Sequence, residues 1–202
     1  LDCPGPRDEA LAIALMLRET LETPKKTAAL VTPDRNLARR VAAELKRWRI
    51  EIDDSAGQAL GQTLPGIFLR LIAEAVLNKL APVHLLALLK HPFTSIGRTQ
   101  RNLKHLTKEL EFKVLRGPRP GEGIKGLLEC LPKHEHELKT FVNELATSLD
   151  PLLNLQANAD VNLGELMHCL VSCAETLAIS DISLGKEILW AGDAGEETAG
   201  FV

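Results

Sequence analysis

Basic side chains that could bind phosphate groups recur at helical spacing in one stretch of the chain. Arg101, Lys104, His105 and Lys108 fall within an arc of about 100° on a helix predicted over residues 99–112. The opposite side of this helix carries the apolar residues Leu103, Leu106 and Leu110. The pattern predicts a helix that buries its leucines and presents its cations to solvent, where they could bind a DNA backbone.

This stretch is the most positive part of an acidic chain. Residues 90–119 hold eight Lys/Arg and two Asp/Glu, including Arg98 and Arg116, whereas residues 120–202 hold four and fourteen. The net charge is −3 and the pI is about 6.1, which argues against a protein that packages DNA through a uniformly positive surface. An ordinary solvent-facing helix has the same pattern, so both interpretations stay open. Aromatic residues make up 3% of the chain, so base stacking is not expected.

A second group of cations, Arg35, Arg39 and Arg40, lies on the helix predicted after residue 32. Leu37, Val41, Leu45 and Trp48 form the apolar stripe of that helix. The arginines therefore face away from the core. They could bind nucleic acid, or they could form ion pairs on a solvated or domain-facing surface.

No group of residues has the spacing of a catalytic or metal site. His134 and His136 diverge on a helix, and Cys169 and Cys173 lie in an apolar helix without further ligands at zinc spacing. Asp53 and Asp54 could bind magnesium but are equally typical of a turn. We therefore assign no catalytic residue, no metal and no cofactor, and we expect this chain by itself not to be an enzyme.

The elements around these residues indicate two different segments. Residues 1–93 are predicted to form an α/β segment in which strands at 28–31 and 50–52 flank a helix that Thr32 caps, as in a parallel crossover unit. Further helices are predicted at 8–21, which should be well buried, and at 67–80 and 83–89. Residues 94–202 are predicted to be a helical module with helices at about 99–112, 123–130, 133–149, 162–178 and 184–190.

The apolar runs and the cysteine content of the chain bear on where in the cell the protein is found. No apolar run is long enough to span a bilayer, so we expect no membrane partner. The four cysteines are few and scattered, which is more typical of a reducing cytoplasm than of a disulfide-stabilised secreted domain.

Several short motifs resemble a known family. Leu30-Val31-Thr32, the helix after it and the run 86–92 (Leu-Ala-Leu-Leu-Lys-His-Pro) resemble the second RecA-like domain of superfamily-1 helicases. Residues 30–55, 115–120 and 189–196 resemble AddB-type subunits of the alphaproteobacterial AddAB helicase–nuclease, which resects double-strand DNA breaks. The resemblance implies a middle fragment of such a subunit, with a partial RecA-like fold, a helical insert, and DNA and an AddA-like helicase–nuclease as partners.

The chain also departs from that family. Thr32 stands where active helicases of the superfamily carry an arginine that approaches the nucleotide, and no Gly-x-x-x-x-Gly-Lys-Ser/Thr motif is present. The resemblance therefore implies a non-catalytic scaffold that guides DNA during recombinational repair. Two alternatives stay open, namely a nucleotide-handling domain of an active helicase and a helical protein-interaction module without a nucleic-acid role.

Overall fold

The protein is mostly helical and divides into two compact units. The computed structural model describes residues 2–55, 57, 59–155 and 161–202. One unit is Leu1–Gly57 and the other is Gln58–Val202. The predicted boundary at residue 93 falls inside the second unit, between its second and third α-helices.

The helices of the described residues follow the apolar periodicity closely. The first unit contains α1 (Pro6–Leu21) and α2 (Arg35–Arg47). The second unit contains α3 (Leu64–Leu77), α4 (Pro82–Leu89), α5 (Gln100–Leu110), α6 (Gly123–Cys130), α7 (His136–Leu155), α8 (Leu163–Ala178), α9 (Gly185–Leu189) and α10 (Gly192–Phe201). A 3-10 turn (Leu60–Gln62) precedes α3, and a π-helical segment (Glu111–Leu115) continues α5. Every predicted helix is found, most of them within three residues of the expected bounds. Helix α7 is the exception, because it continues through Pro151 to Leu155, six residues beyond its predicted end, and α10 was not predicted.

The predicted strands at 28–31 and 50–52 are wrong, because neither stretch pairs with another strand. Strand pairing in the described residues is limited to one isolated parallel bridge between Arg98 and Ser180. Val31 is 94% exposed, whereas Leu30 and Ile50 pack against the small core that α1 and α2 share. A parallel sheet needs several strands with helices on both faces, and two helices cannot supply that cover. No RecA-like parallel sheet is therefore present in the described residues.

Two further expectations about the first unit are corrected. Helix α1 is not well buried: Ala10 and Ala14 are buried, but Leu15, Met16 and Leu21 are exposed. Asp34, not Thr32, caps α2, since the Asp34 carboxylate accepts a hydrogen bond of 2.8 Å from the Asn36 N–H. The Thr32 hydroxyl instead accepts a hydrogen bond from the Asp34 N–H.

One apolar core holds the second unit together. Helices α7 and α8 pack along each other, and α3, α4 and α5 close the core around them. The largest fully buried side chains include Phe68, Phe141, Ile72, Leu85, Leu88, Leu103, Leu106 and Leu110. The leucine face of α5 is thus fixed in this core, as the sequence pattern predicts.

The chain before α5 is tied to the end of α8. The N–H groups of Ser95 and Ile96 both donate to the Leu177 carbonyl, at 2.9 and 3.0 Å, and the Gly97 N–H donates to the Ile179 carbonyl. Thr99 then caps α5 by accepting from the Asn102 N–H. These bonds fix where α5 begins and so orient its outer face.

Candidate nucleic-acid interface

The outer face of α5 carries the predicted cations in solvent. Arg101, Lys104, His105 and Lys108 are all exposed, while Leu103, Leu106 and Leu110 are buried. Within the part of the chain that the structure describes, Arg101 and Lys104 make no hydrogen bond or ion pair. The Lys108 ammonium lies 5.9 Å from the centroid of the Phe112 ring. The side chains of Arg101, Lys104 and Lys108 are therefore free to bind an anion.

Arg98 is engaged inside the second unit instead. Its Nε and Nη2 donate to Glu144 Oε2 at 3.1 and 2.6 Å, and its Nη1 donates to Asn102 Oδ1. The guanidinium also lies 6.0 Å from the centroid of the Phe141 ring. Arg98 therefore joins α5 to α7, and a DNA contact would require it to leave these partners.

Arg116 belongs to a cluster around one carboxylate. Its Nε and Nη2 donate to Glu111 Oε1 at 3.0 and 2.8 Å, and Lys90 Nζ donates to Glu111 Oε2 at 2.6 Å. The pKa of Glu111 is lowered because Lys90 and Arg116 both donate to its carboxylate. The Arg116 guanidinium also stacks 4.5 Å from the Phe112 ring centroid. Arg116 is thus held in place, although most of its side chain stays accessible.

Arg35 and Arg39 belong to the other compact unit. Arg35 donates two hydrogen bonds of 2.9 Å to the Asp54 carboxylate and a third to the Gly57 carbonyl. The pKa of Arg35 is raised because its hydrogen bond with Asp54 favours the charged form. Arg39 lies exposed one turn further along α2. Asp54, which sequence reasoning considered for magnesium, is therefore the ion-pair partner of Arg35.

A groove lies beside the cationic face of α5. We call it the α4–α5 groove: it measures about 530 Å³ and is formed by the end of α4, one side of α5 and the π-helical segment. Its lining residues are Leu89, Lys90, His91, Gln100, Lys104, Thr107, Lys108, Glu111, Phe112 and Arg116. Phe112 is 53% exposed at this site. Sequence reasoning missed the groove, although the spacing of Lys108 and Phe112 by one helical turn was a signal for it.

His91 is a buried member of the groove lining. Its ring stacks on Phe68 with 4.9 Å between centroids, and Phe93 packs edge-on against both rings. The His91 Nδ1 accepts a hydrogen bond from the Phe93 N–H, so the ring proton of the neutral form resides on Nε2. Burial lowers the pKa of His91 below its ordinary value of 6.5.

The lowered pKa of His91 predicts a pH-dependent loss of stability. As the pH falls through the ordinary histidine pKa of 6.5, the unfolded state takes up this proton first, so the free energy of unfolding falls. We expect His91→Asn, whose side-chain carbonyl can accept from the Phe93 N–H, to reduce that slope in urea unfolding curves. Equal slopes in the wild type and His91→Asn would contradict the assignment.

The described residues give no support for a metal site or for a nucleophilic cysteine. They contain no group of three or more His, Cys, Asp or Glu that could hold a metal ion. All four cysteines are free, and burial raises the pKa of Cys173 to about 11, which makes it a poor nucleophile. Across the same part of the chain, none of the helices combines the length and apolar character that crossing a membrane requires.

The structure thus brings Arg101, Lys104 and Lys108 together on one accessible helix face, with Arg116 at its end. It pairs Arg98, which is half-buried, with Glu144 of α7, and it places Arg35 and Arg39 in the other unit. In comparisons of the chain with family models, curated proteins and solved structures, no match was found.

Proposed function

We propose that this chain is a non-catalytic, DNA-guiding segment of an AddB-type subunit, which contacts the DNA backbone through the outer face of α5. The binding is independent of sequence, because ammonium and guanidinium groups recognise phosphates and not base edges. The observation that carries the proposal is that Arg101 and Lys104 are exposed and unpaired in the described residues, in a chain whose net charge is −3.

The electrostatics of α5 support an anionic partner. No acidic residue lies in the first turn of α5, where Arg101 stands close to the positive end of the helix dipole. A cation there is locally unfavourable, and a bound phosphate would offset both charges. Other cations of the basic stretch already have carboxylate partners: Lys90, Arg98, Lys113 and Arg116.

The wider assignment rests on the sequence resemblance. In it, residues 94–202 are a helical insert of a subunit that acts in double-strand break repair with an AddA-like helicase–nuclease. The helical character of the second unit is compatible with such an insert. Thr32 and the missing phosphate-loop motif favour a scaffold over a nucleotide-handling domain.

The test is DNA binding by a charge-reversed α5. Fluorescence anisotropy with a tailed duplex compares the wild type with the triple variant Arg101→Glu, Lys104→Glu, Lys108→Glu over a series of salt concentrations. If each side chain neutralises one phosphate, the slope of log affinity against log salt should become less negative by about 3 in the variant.

The matched control reverses three exposed lysines elsewhere in the second unit, Lys125, Lys133 and Lys186, and so changes the net charge by the same amount. We expect it to retain the wild-type slope. An equal loss of affinity in both triple variants would mean that the change in net charge, and not the loss of the α5 face, weakens DNA binding. Absence of wild-type binding at low salt would contradict the proposal.

A further inference from the structure

Two buried polar atoms, His91 Nε2 and Thr107 Oγ1, belong to residues that line the α4–α5 groove and have no hydrogen-bond partner in the described part of the chain. His91 is 7% exposed and Thr107 is 3% exposed, and both line the groove. Among the described residues, neither His91 Nε2 nor Thr107 Oγ1 has a donor or acceptor within reach. Most buried polar groups in folded proteins are paired, so two unpaired atoms on residues that line one groove point to a binding partner that the described residues do not supply.

Both orphaned atoms can donate a hydrogen bond. The His91 Nδ1 accepts from the Phe93 N–H, which leaves the proton on Nε2. The Thr107 hydroxyl carries its own proton. The other polar amide of the groove is already committed, since the Gln100 side chain donates to the Pro92 and Thr94 carbonyls and to Ser95 Oγ. A hydrogen-bond acceptor would therefore satisfy both atoms.

The charges of the groove specify an anionic acceptor. Lys90, Lys104, Lys108 and Arg116 line it together with a single carboxylate, that of Glu111. Glu111 is occupied by Lys90 and Arg116, whereas Lys104 and Lys108 have no carboxylate partner in the described residues. The groove has an excess of positive charge and two unpaired donors, His91 Nε2–H and Thr107 Oγ–H. Such a site suits an oxyanion that accepts several hydrogen bonds.

We propose that the α4–α5 groove binds a phosphate group, to which His91 Nε2–H and Thr107 Oγ–H donate while Lys104 and Lys108 balance its charge. A volume of about 530 Å³ leaves room for the residue attached to that phosphate, beside the exposed Phe112 ring. The phosphate is either a phosphodiester of DNA, in which case the inference rests on the proposed function, or part of a phosphorylated small molecule.

Inorganic phosphate is the first probe, with the intact chain. The imidazole 15N and 1H signals of His91, assigned as those lost in His91→Asn, are followed by NMR during a phosphate titration at neutral pH. Sodium chloride at matched ionic strength is the reference. We expect a saturable shift with phosphate only, and an affinity for phosphate that is about tenfold lower in Thr107→Val, which loses a donor to a charged group.

Thr147→Val is the matched control, because Thr147 is exposed on α7 and its hydroxyl donates to the Asn143 carbonyl outside the groove. Its phosphate affinity should equal that of the wild type. The inference is overturned if phosphate produces no saturable shift of His91, or if Thr107→Val binds phosphate as tightly as the wild type.

A second titration with the tailed duplex identifies the source of the phosphate. A shift of the same His91 signals, with weaker DNA binding by Thr107→Val, supports a phosphodiester in the groove. A response to phosphate but not to DNA supports a phosphorylated small molecule. Arg101 lies outside the groove lining, so loss of DNA binding in Arg101→Glu with an unchanged phosphate response separates the α5 face from the groove.

Discussion

Phe141→Ala should lower the free energy of unfolding of the second unit by about 3–5 kcal/mol, the range for removing a fully buried phenyl ring. Phe141 is 0% exposed in α7 and belongs to the core that also holds the leucines of α5. The guanidinium of Arg98, which joins α5 to Glu144 of α7, lies over its ring. Loss of the ring leaves a cavity and removes the surface on which Arg98 rests.

The measurement is urea unfolding in a Trp48→Phe background, so that Trp190 reports on the second unit alone. Phe201→Ala is the matched control, because Phe201 is largely exposed in α10. We expect the control to change stability by no more than about 0.5 kcal/mol. A loss in Phe141→Ala as small as that of Phe201→Ala would contradict the placement of Phe141 in the core.

Gly185→Ala should destabilise the same unit by about 2–3 kcal/mol, because there is no space for a methyl group. A Cβ at Gly185 would lie 1.7 Å from the Glu175 carbonyl oxygen, and that atom belongs to the backbone of α8. The Trp190 Nε1 also donates to the Glu175 carboxylate at 2.8 Å, so α9 is joined to α8 at both of its ends. Relief of the clash would have to move α9 as a whole.

Gly200→Ala is the control for that substitution. Gly200 lies within α10, and a Cβ there meets no atom within 4 Å. Alanine is the better helix former, so Gly200→Ala should stabilise by about 0.5–1 kcal/mol. Opposite signs for the two variants, in thermal and urea unfolding, are the expected result. A neutral Gly185→Ala would mean that α9 does not pack on α8 as described.

The apolar periodicity located nearly all the helices because helical spacing is a local property. The α5 pattern gave the buried leucines and the exposed cations correctly, since one helix face has to enter the core. Helix α10 was missed because Gly192–Phe201 contains three glycines and few apolar residues. It is held instead by contacts with α3 and with the 3-10 turn that precedes α3.

The strands were predicted wrongly for a related reason. Short apolar runs such as 28–31 are typical of buried strands, but a strand exists only when another strand pairs with it. In the described residues no partner is present, so Leu30 and Ile50 contribute to the core between α1 and α2 and Val31 remains exposed.

The sequence by itself determined the helices, the amphipathic direction of α5 and the excess of positive charge over residues 90–119. Only the tertiary structure decided which cations remain free, because the partner of Arg98 lies 46 residues away and the partner of Lys90 lies 21 residues away. It also brought His91 and Thr107 to one groove, where His91 Nε2 and Thr107 Oγ1 have no hydrogen-bond partner among the described residues. Such pairings depend on how helices pack against each other, and residue spacing within one helix does not encode that packing.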